Sequence, residues 1–255
     1  MTSLRLNILT FFLLVFLQTS GQEVQVFFKL ADSIVMTENS ATKLYAQLDN
    51  LKSKFIPSRS SLSTYFDRDI DFGYRHQRIN IQLNFHWYQI DLLKRNDSIF
   101  VKVIKDYHNP AEIDTTTKYF NAESAMNFDY LTLRNKFYYS NKSISDLTSE
   151  ISKYQVFAFY CGMGSSKTGD GIHIEKLVDN KNVSELTKML QSICIETQAY
   201  AISGFEMLAQ HKFQTNAATQ AIINHVKKRN SETIICNGCL TGLIKKVYGS
   251  KKASR

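Results

Sequence analysis

The sequence predicts an α+β protein in which a β-hairpin-rich N-terminal part carries a C-terminal helical cap. Three observations lead there. In "INIQLNFHWYQIDLL", Ile79, Ile81, Leu83, Phe85 and Trp87 alternate with Asn80, Gln82, Asn84 and His86, the period of a long half-buried strand. "IFVKVIKDY" then returns after the turn-forming "KRNDS", which makes a β-hairpin. From Asn182 onward the apolar residues recur at helical spacing instead. At 255 residues the chain suits one large domain or two small ones, with enough core to fold without metals or disulfides. An apolar fraction of 44% against 21% charged excludes wholesale disorder, and the scarcity of proline, at Pro57 and Pro110 alone, excludes a Pro-rich stalk.

Residues 1–21, "MTSLRLNILTFFLLVFLQTSG", have the layout of a secretory signal peptide. Arg5 supplies the positive region, Leu6 to Leu17 the short apolar region, and Thr19 and Gly21 the small residues before a cleavage point at Gln22. A membrane span needs about 20 apolar residues. This segment is shorter and ends in polar Gln18, Thr19 and Ser20, and no other stretch is long enough. The expectation is an exported chain, periplasmic or secreted, with no stable membrane span once the signal is removed. The formal net charge of +8 raises the prior for anionic partners. Lysine and arginine are spread along the chain, however, and cluster clearly only in "KKVYGSKKASR" from Lys245 to Arg255, read as a basic frayed end; no nucleic acid is expected as a partner.

Taken in order, residues 22–180 read as a mixed part with hairpins. Gln22 to Phe28 is a short strand or a lead-in. In "ENSATKLYAQLDNLKSKF", Leu44, Leu48, Leu51 and Phe55 make a helical stripe with Ser40 as its cap. Pro57 and the serines at 58, 60, 61 and 63 read as a polar loop. The hairpin described above follows, then an irregular polar stretch over 110–127. "FDYLTLRNKFYY" fits a strand or a helix. "SISDLTSEISKY" has Ser143 and Asp146 at capping-box spacing and Ile144, Leu147 and Ile151 on one face, a short helix. "QVFAFYC" and "GIHIEKLV" read as two strands around a glycine loop.

Residues 181–255 read as a helical part ending in a Cys-x-x-Cys and the basic tail. Asn182 caps a helix bearing Leu186, Met189, Leu190 and Ile193. "IETQAYAISGFEMLAQHK" makes a second, and Thr215 or Asn216 caps a third with Ala218, Ala221, Ile222 and Val226 inward. Ala201, Ser203 and Gly204 allow close packing between helices. The pattern "ETQAYAISGFEML" resembles the second helix of HEAT-type helical hairpins, and the resemblance covers residues 182–230. It implies packed helices and a protein-binding surface, and it implies no chemistry. No second copy recurs at a fixed period, as a solenoid would require. The remainder is similar to secreted bacterial proteins, which also implies no chemistry.

Four candidate sites follow from residue types. The stretch "FAFYCGMGSSKTGDG" ends in Lys167 and Thr168 like a phosphate-binding loop, but Cys161 and Ser166 stand where G-x-x-x-x-G-K-[ST] requires glycine. A hairpin turn is the expected role of the glycines. Cys236 and Cys239 in "ETIICNGCLTGLIKKV" admit a local structural disulfide, half of a zinc site with Cys161 and Cys194, or thiol-disulfide exchange ahead of a helix. Export favours the disulfide, and four cysteines allow three complete pairings. His173 near Cys161 is the one Cys/His juxtaposition, a weak catalytic candidate beside Cys236 and Cys239. Among the other histidines, His225 reads as a core or boundary residue and His86 as lying on the polar face of its strand, and no zincin spacing appears. Asp67, Asp69 and Asp71 alternate as a calcium loop would, but Phe72 and Arg78 break the EF-hand pattern, so a solvated face is expected. No cofactor or metal is expected, and the function these residues imply is that of an exported, non-enzymatic interaction or binding protein. The alternative is an extracytoplasmic thiol-based enzyme at Cys236 and Cys239.

Overall fold

A computed structural model describes residues 23–55, 60–83, 86–107, 116–121 and 125–249. Residues 1–21, expected to be a signal peptide, the expected cleavage point at Gln22, Pro57, Ser58, His108, Pro110 and the tail beyond residue 249 lie outside the described residues. The chain is α+β, as its patterning predicts. Its centre is a five-stranded antiparallel sheet in simple meander order: β1 (Ser60–Asp71), β2 (Tyr74–Leu83), β3 (His86–Arg95), β4 (Ser98–Tyr107) and β5 (Thr116–Asn121).

Helices cover both faces of the sheet. On one side lie α1 (residues 23–37) and α2 (Ala41–Lys54). Val24, Phe27, Ala31 and Val35 of α1 and Leu44, Leu48 and Leu51 of α2 pack on Ile79, Ile81, Leu83, Tyr88, Ile90 and Leu92. Ser40 caps α2 as expected, accepting from the Lys43 amide, and the β3–β4 turn docks there as well. Asp97 of that turn accepts from the Thr42 amide at 2.9 Å and the Thr42 hydroxyl at 2.7 Å. The opposite sheet face meets α3 (Ala125–Tyr138) and α4 (Ile144–Ile151) through Tyr130, Leu147 and Ile151 against Tyr74, Leu93, Val101 and Val103. The Ser143–Asp146 capping box opens α4. Beyond them α5 (Gly169–Asp179), α6 (Val183–Leu190), α7 (Ile195–Gln210) and α8 (Ala217–Arg229) form a separate helical cluster. Gly204 sets the closeness of α6 and α7, since a Cβ there would stand 2.6 Å from Leu186 Cδ2. The chain ends in the hairpin β8 (Glu232–Asn237) and β9 (Leu240–Lys246).

Several expectations are corrected. The single long strand from Ile79 to Trp87 is two strands, with Leu83 paired to His86. A two-residue connection reverses the chain and shifts the parity, so Ile79, Ile81 and Leu83 share a face with His86 and Tyr88, while Trp87 lies on the other face opposite Gln82. His86 therefore stands on the α1 side, its ring 6.1 Å from that of Phe28, not on the polar face. The described part of the lead-in is helix α1. Ser60, Ser61 and Ser63 belong to β1 rather than to a loop, and β5 runs through the stretch expected to be irregular; "FDYLTLRNKFYY", which fits a strand or a helix, is the helix. "GIHIEKLV" is helix α5: its buried residues are Gly171, Ile174, Leu177 and Val178, a helical spacing, and Ile172 is exposed. In α8, Asn216 is the cap and Thr219, Ile222, Ile223 and Val226 face inward, leaving Ala218 and Ala221 exposed. The segment after the second cysteine of the Cys-x-x-Cys is strand β9, not a helix.

Candidate functional site

The face of the sheet turned away from α1 and α2 changes character along its length. At the end covered by α3 it is apolar. Its middle is a buried layer of charge. At the β2–β3 end it opens to a cavity.

The buried layer arises because β1, β2 and β3 carry charged residues at alternate positions that pair across the ladder: Arg68 with His76 and Arg78 with Asp91. Asp91 Oδ1 accepts from Arg78 Nε at 2.7 Å and lies 2.7 Å from His76 Nε2, and its Oδ2 accepts from Gln89 Nε2 at 2.6 Å. Burial works against the Asp91 carboxylate, but the Arg78 guanidinium and the His76 bond hold it at about 2. Burial drives His76 down to about 4 against the pull of Asp91, so its ring is neutral near pH 7. Arg78 also donates through Nη2 to the Ile151 and Lys153 carbonyls at 2.9 and 3.1 Å, and Lys105 donates to Ser152 O at 2.7 Å. These cations satisfy the carbonyls at the C-terminal end of α4, where the helix dipole favours positive charge. Phe66 lies between the guanidinium groups of Arg68, 4.1 Å from its ring, and Arg78, 5.1 Å away.

Arg68 in turn joins the sheet to the C-terminal helices. It forms two bonds to Glu196 of α7, at 2.5 and 3.2 Å, with the two side chains 3% and 1% exposed. Glu196 also accepts from the Ile234 amide at 2.8 Å. Burial opposes its charge, and Arg68 lowers its pKa nonetheless. The contact crosses the expected division between residues 180 and 181, and so does a second buried cluster. In it Asp71 accepts from Arg229 Nη1 at 2.6 Å, His225 Nε2 at 2.9 Å and the Tyr138 hydroxyl at 3.0 Å. Two parts read separately from the sequence thus interlock through charge.

The cavity lies beside the first layer. Its volume is about 450 Å³, and Tyr65, Arg78, Asn80, Trp87, Gln89 and Tyr154 line it together with Tyr88. That volume falls in the range of about 300–1,000 Å³ found for small-molecule sites. Asn80 and Gln89 are direct partners across β2 and β3, and Gln82 and Trp87 are the next such pair in register on that face. Tyr65 is held from outside the sheet, donating its hydroxyl to Gly242 O of β9 at 2.8 Å. Gly242, at φ +82°, permits this approach: a Cβ there would lie 3.0 Å from the Tyr65 oxygen and 3.5 Å from that of Tyr154. Burial and the neighbouring Tyr154 raise the Tyr65 pKa, so the phenol stays protonated.

The sequence-predicted site residues are distributed differently. Cys161 bonds Cys236. This corrects the local Cys236–Cys239 disulfide: Cys236 pairs instead with Cys161, 75 positions away, joining the glycine loop to the β8–β9 hairpin beside a Gly162 N to Gly238 O hydrogen bond of 2.8 Å. Cys239 is an exposed free thiol. Cys194 is free and buried, 3.4 Å from Glu196 Oε2, and burial with that carboxylate pushes its thiol up to about 11, away from reactivity. His173 is exposed on α5. The glycine loop does lead to a helix, contrary to expectation, but its groups are committed. Thr168 caps α5 by accepting from the Gly171 amide at 3.0 Å, and exposed Lys167 pairs with Glu175 at 2.7 Å. The acidic triple is a solvated face only in part, with Asp69 exposed and Asp67 half-buried. Asp67 binds Arg75 and Lys94, Asp69 binds Arg75, and Asp71 is buried. Among the described residues no group of three His, Cys, Asp or Glu side chains is placed to hold a metal ion.

The cavity residues were not singled out by motif reasoning. A signal for them exists: the face opposite the core carries Arg78, Asn80, Gln82, Trp87 and Gln89, amides and an aromatic where a solvated strand face usually carries lysine, glutamate and threonine. Compared with protein-family models, with curated proteins and with solved structures, the chain matches none. No described helix is long and apolar enough to cross a membrane.

Proposed function

We propose that the protein is exported and acts by binding, without catalysis, holding a small ligand in the cavity walled by Tyr65, Trp87 and Tyr154. The observation that carries this reading is the cavity itself. It combines aromatic walls with a few convergent polar groups, Arg78, Asn80 and Gln89, the usual composition of a small-molecule site. The Cys161–Cys236 bond and the N-terminal signal layout support export, because such a bond persists in oxidising compartments. Thiol-disulfide exchange at Cys236 and Cys239 is disfavoured, because Cys236 is already bonded to Cys161.

A second reading has its own observation. A groove of about 360 Å³ runs between α3 and α8, lined by Phe72, Leu133, Phe137, Tyr139, Ala218 and Ala221, with Leu133 and Tyr139 exposed. It favours a protein partner on the helical face, as the HEAT-type resemblance implies.

The test is a melting-temperature screen of the purified protein against neutral, anionic, cationic and apolar small molecules. A ligand specific for the native state raises the melting temperature. The cavity reading expects at least one compound that stabilises the wild type and leaves Trp87→Ala unmoved. Compounds that stabilise both proteins equally, or no stabilising compound at all, would count against it.

A further inference from the structure

We propose that the ligand of this cavity is a neutral carbohydrate, with a sugar ring against the aromatic side chains and its hydroxyls bonded by Asn80 and Gln89. The inference rests on the binding reading above and adds the ligand class to it.

The floor of the cavity decides between charged and neutral ligands. Its one cation among the described residues, Arg78, is bonded to Asp91 and to two main-chain carbonyls. The neighbouring lysine, Lys105, donates to Ser152 O. His76, buried behind them, bonds the same carboxylate. Each of these cations therefore already has partners within the protein. An ionised ligand entering here would lose its hydration and would have to draw a cation away from those bonds to gain a counter-charge, which is costly.

Among the described residues, the polar groups that line the cavity beyond Arg78 are amides, phenol hydroxyls and the Trp87 indole N–H. Asn80 and Gln89 sit directly opposite each other on β2 and β3. Side chains so placed have Cβ atoms about 4.5–5.5 Å apart and converge on one small region. The Asn80 amide offers donors and an acceptor, while Gln89, whose amide nitrogen donates to Asp91 Oδ2 and Ser152 O, offers its carbonyl oxygen. A hydroxyl also both donates and accepts, so neighbouring hydroxyls on one ring suit such a pair. The Trp87 indole N–H and the Tyr154 hydroxyl, at the walls, extend the same chemistry.

The walls supply the other half of the recognition. A pyranose ring has polar edges and a C–H face, and it matches a site whose walls are aromatic and whose floor is amide. A purely apolar ring would take water from the Asn80 amide and the Gln89 carbonyl oxygen and return no hydrogen bond, a loss of affinity for each. A nucleotide would bring phosphate to a floor whose cation is already engaged.

Trp87 is the single tryptophan of the chain, so its fluorescence reports the cavity. The experiment titrates the purified protein with neutral gluco-, manno-, xylo- and chito-oligosaccharides, with oligogalacturonate, and with an anilinonaphthalene sulfonate dye. Circular dichroism and melting curves establish that each variant is folded. At least one neutral series is expected to change Trp87 emission saturably, with little dependence on salt. Asn80→Leu is expected to weaken that binding about tenfold, the effect of losing a hydrogen-bonding group. Asn80→Ser, which replaces the amide by a smaller hydrogen-bonding group, a hydroxyl, is expected to lose less. If the dye or oligogalacturonate binds at Trp87 and no neutral sugar does, the carbohydrate inference falls and the binding reading stands. If no probe alters Trp87 emission, both fall. If a neutral sugar binds Asn80→Leu as tightly as the wild type, its site is not this floor and the inference is overturned.

Discussion

Glu196 shows how much depends on one side chain. Its carboxylate answers Arg68, accepts from the Ile234 amide and lies beside the Cys194 thiol, with 1% of its side chain exposed. Removing one partner of a buried ion pair leaves the other charge uncompensated, at a cost of about 3–5 kcal/mol. Glu196→Gln is therefore expected to destabilise the protein by about that amount in urea unfolding, and Arg68→Met combined with Glu196→Met by much less. His76 carries a pH dependence. Its pKa falls from the ordinary value of about 6.5 to about 4 in the folded protein, so the unfolded chain binds the extra proton first. The stability it contributes is complete above pH 6.5 and is lost as pH falls through the window to 4, by about 3 kcal/mol. Urea midpoints measured across that window are expected to fall with pH in the wild type and to flatten in His76→Gln. Neither residue stood out in the sequence. His76 and Asp91 lie 15 positions apart and Arg68 and Glu196 lie 128 apart, so only the sheet, for the first pair, and the docking of α7 on it, for the second, bring them together.

At the scale of elements, what was legible follows from local chemistry. Ser40, Ser143 and Asn182 cap the helices they were expected to cap, and Asn216 is the one of the pair Thr215 or Asn216 that does, because a cap needs only its own side chain and an amide two or three residues ahead. The misread elements are those where two periods compete. Ile172 and Ile174 alternate like a strand, but Ile174, Leu177 and Val178 form the buried helical stripe. The β2–β3 connection was hidden because the run stays apolar-polar through it, and a shift of one position then put Trp87 on the cavity face. The cavity was invisible for that reason: reading Trp87 into the core removed the residue that marks the site. Thr168 offers an element-scale test. It caps α5, and Thr168→Ala is expected to cost about 1 kcal/mol, the usual value of a lost cap. Lys167→Ala, removing only an exposed pair with Glu175, is expected to leave the urea midpoint unchanged. Measurable ATP affinity that disappears in Lys167→Ala would revive the phosphate-loop reading.

Across the whole molecule, the C-terminal hairpin ties the parts together. Cys236 fastens β8 to the glycine loop, Gly242 of β9 holds Tyr65 at the cavity wall, and Ile234 meets Glu196. Because the Cys161–Cys236 bond closes a loop of 75 residues, chain entropy alone assigns it about 4 kcal/mol. Replacing both cysteines by serine is expected to lower stability by about 2–4 kcal/mol, read as a shift of the urea midpoint, and Cys239→Ser to leave it unchanged. Loosening that hairpin also frees Tyr65, so the double serine variant is expected to bind cavity ligands more weakly. The most direct test of the account is a crystal structure of the protein grown with the compound that most raises its melting temperature. The account expects density in the cavity, stacked on Trp87 and within hydrogen-bonding distance of Asn80 or Gln89. Density in the groove between α3 and α8, with the cavity empty of the compound, would contradict it.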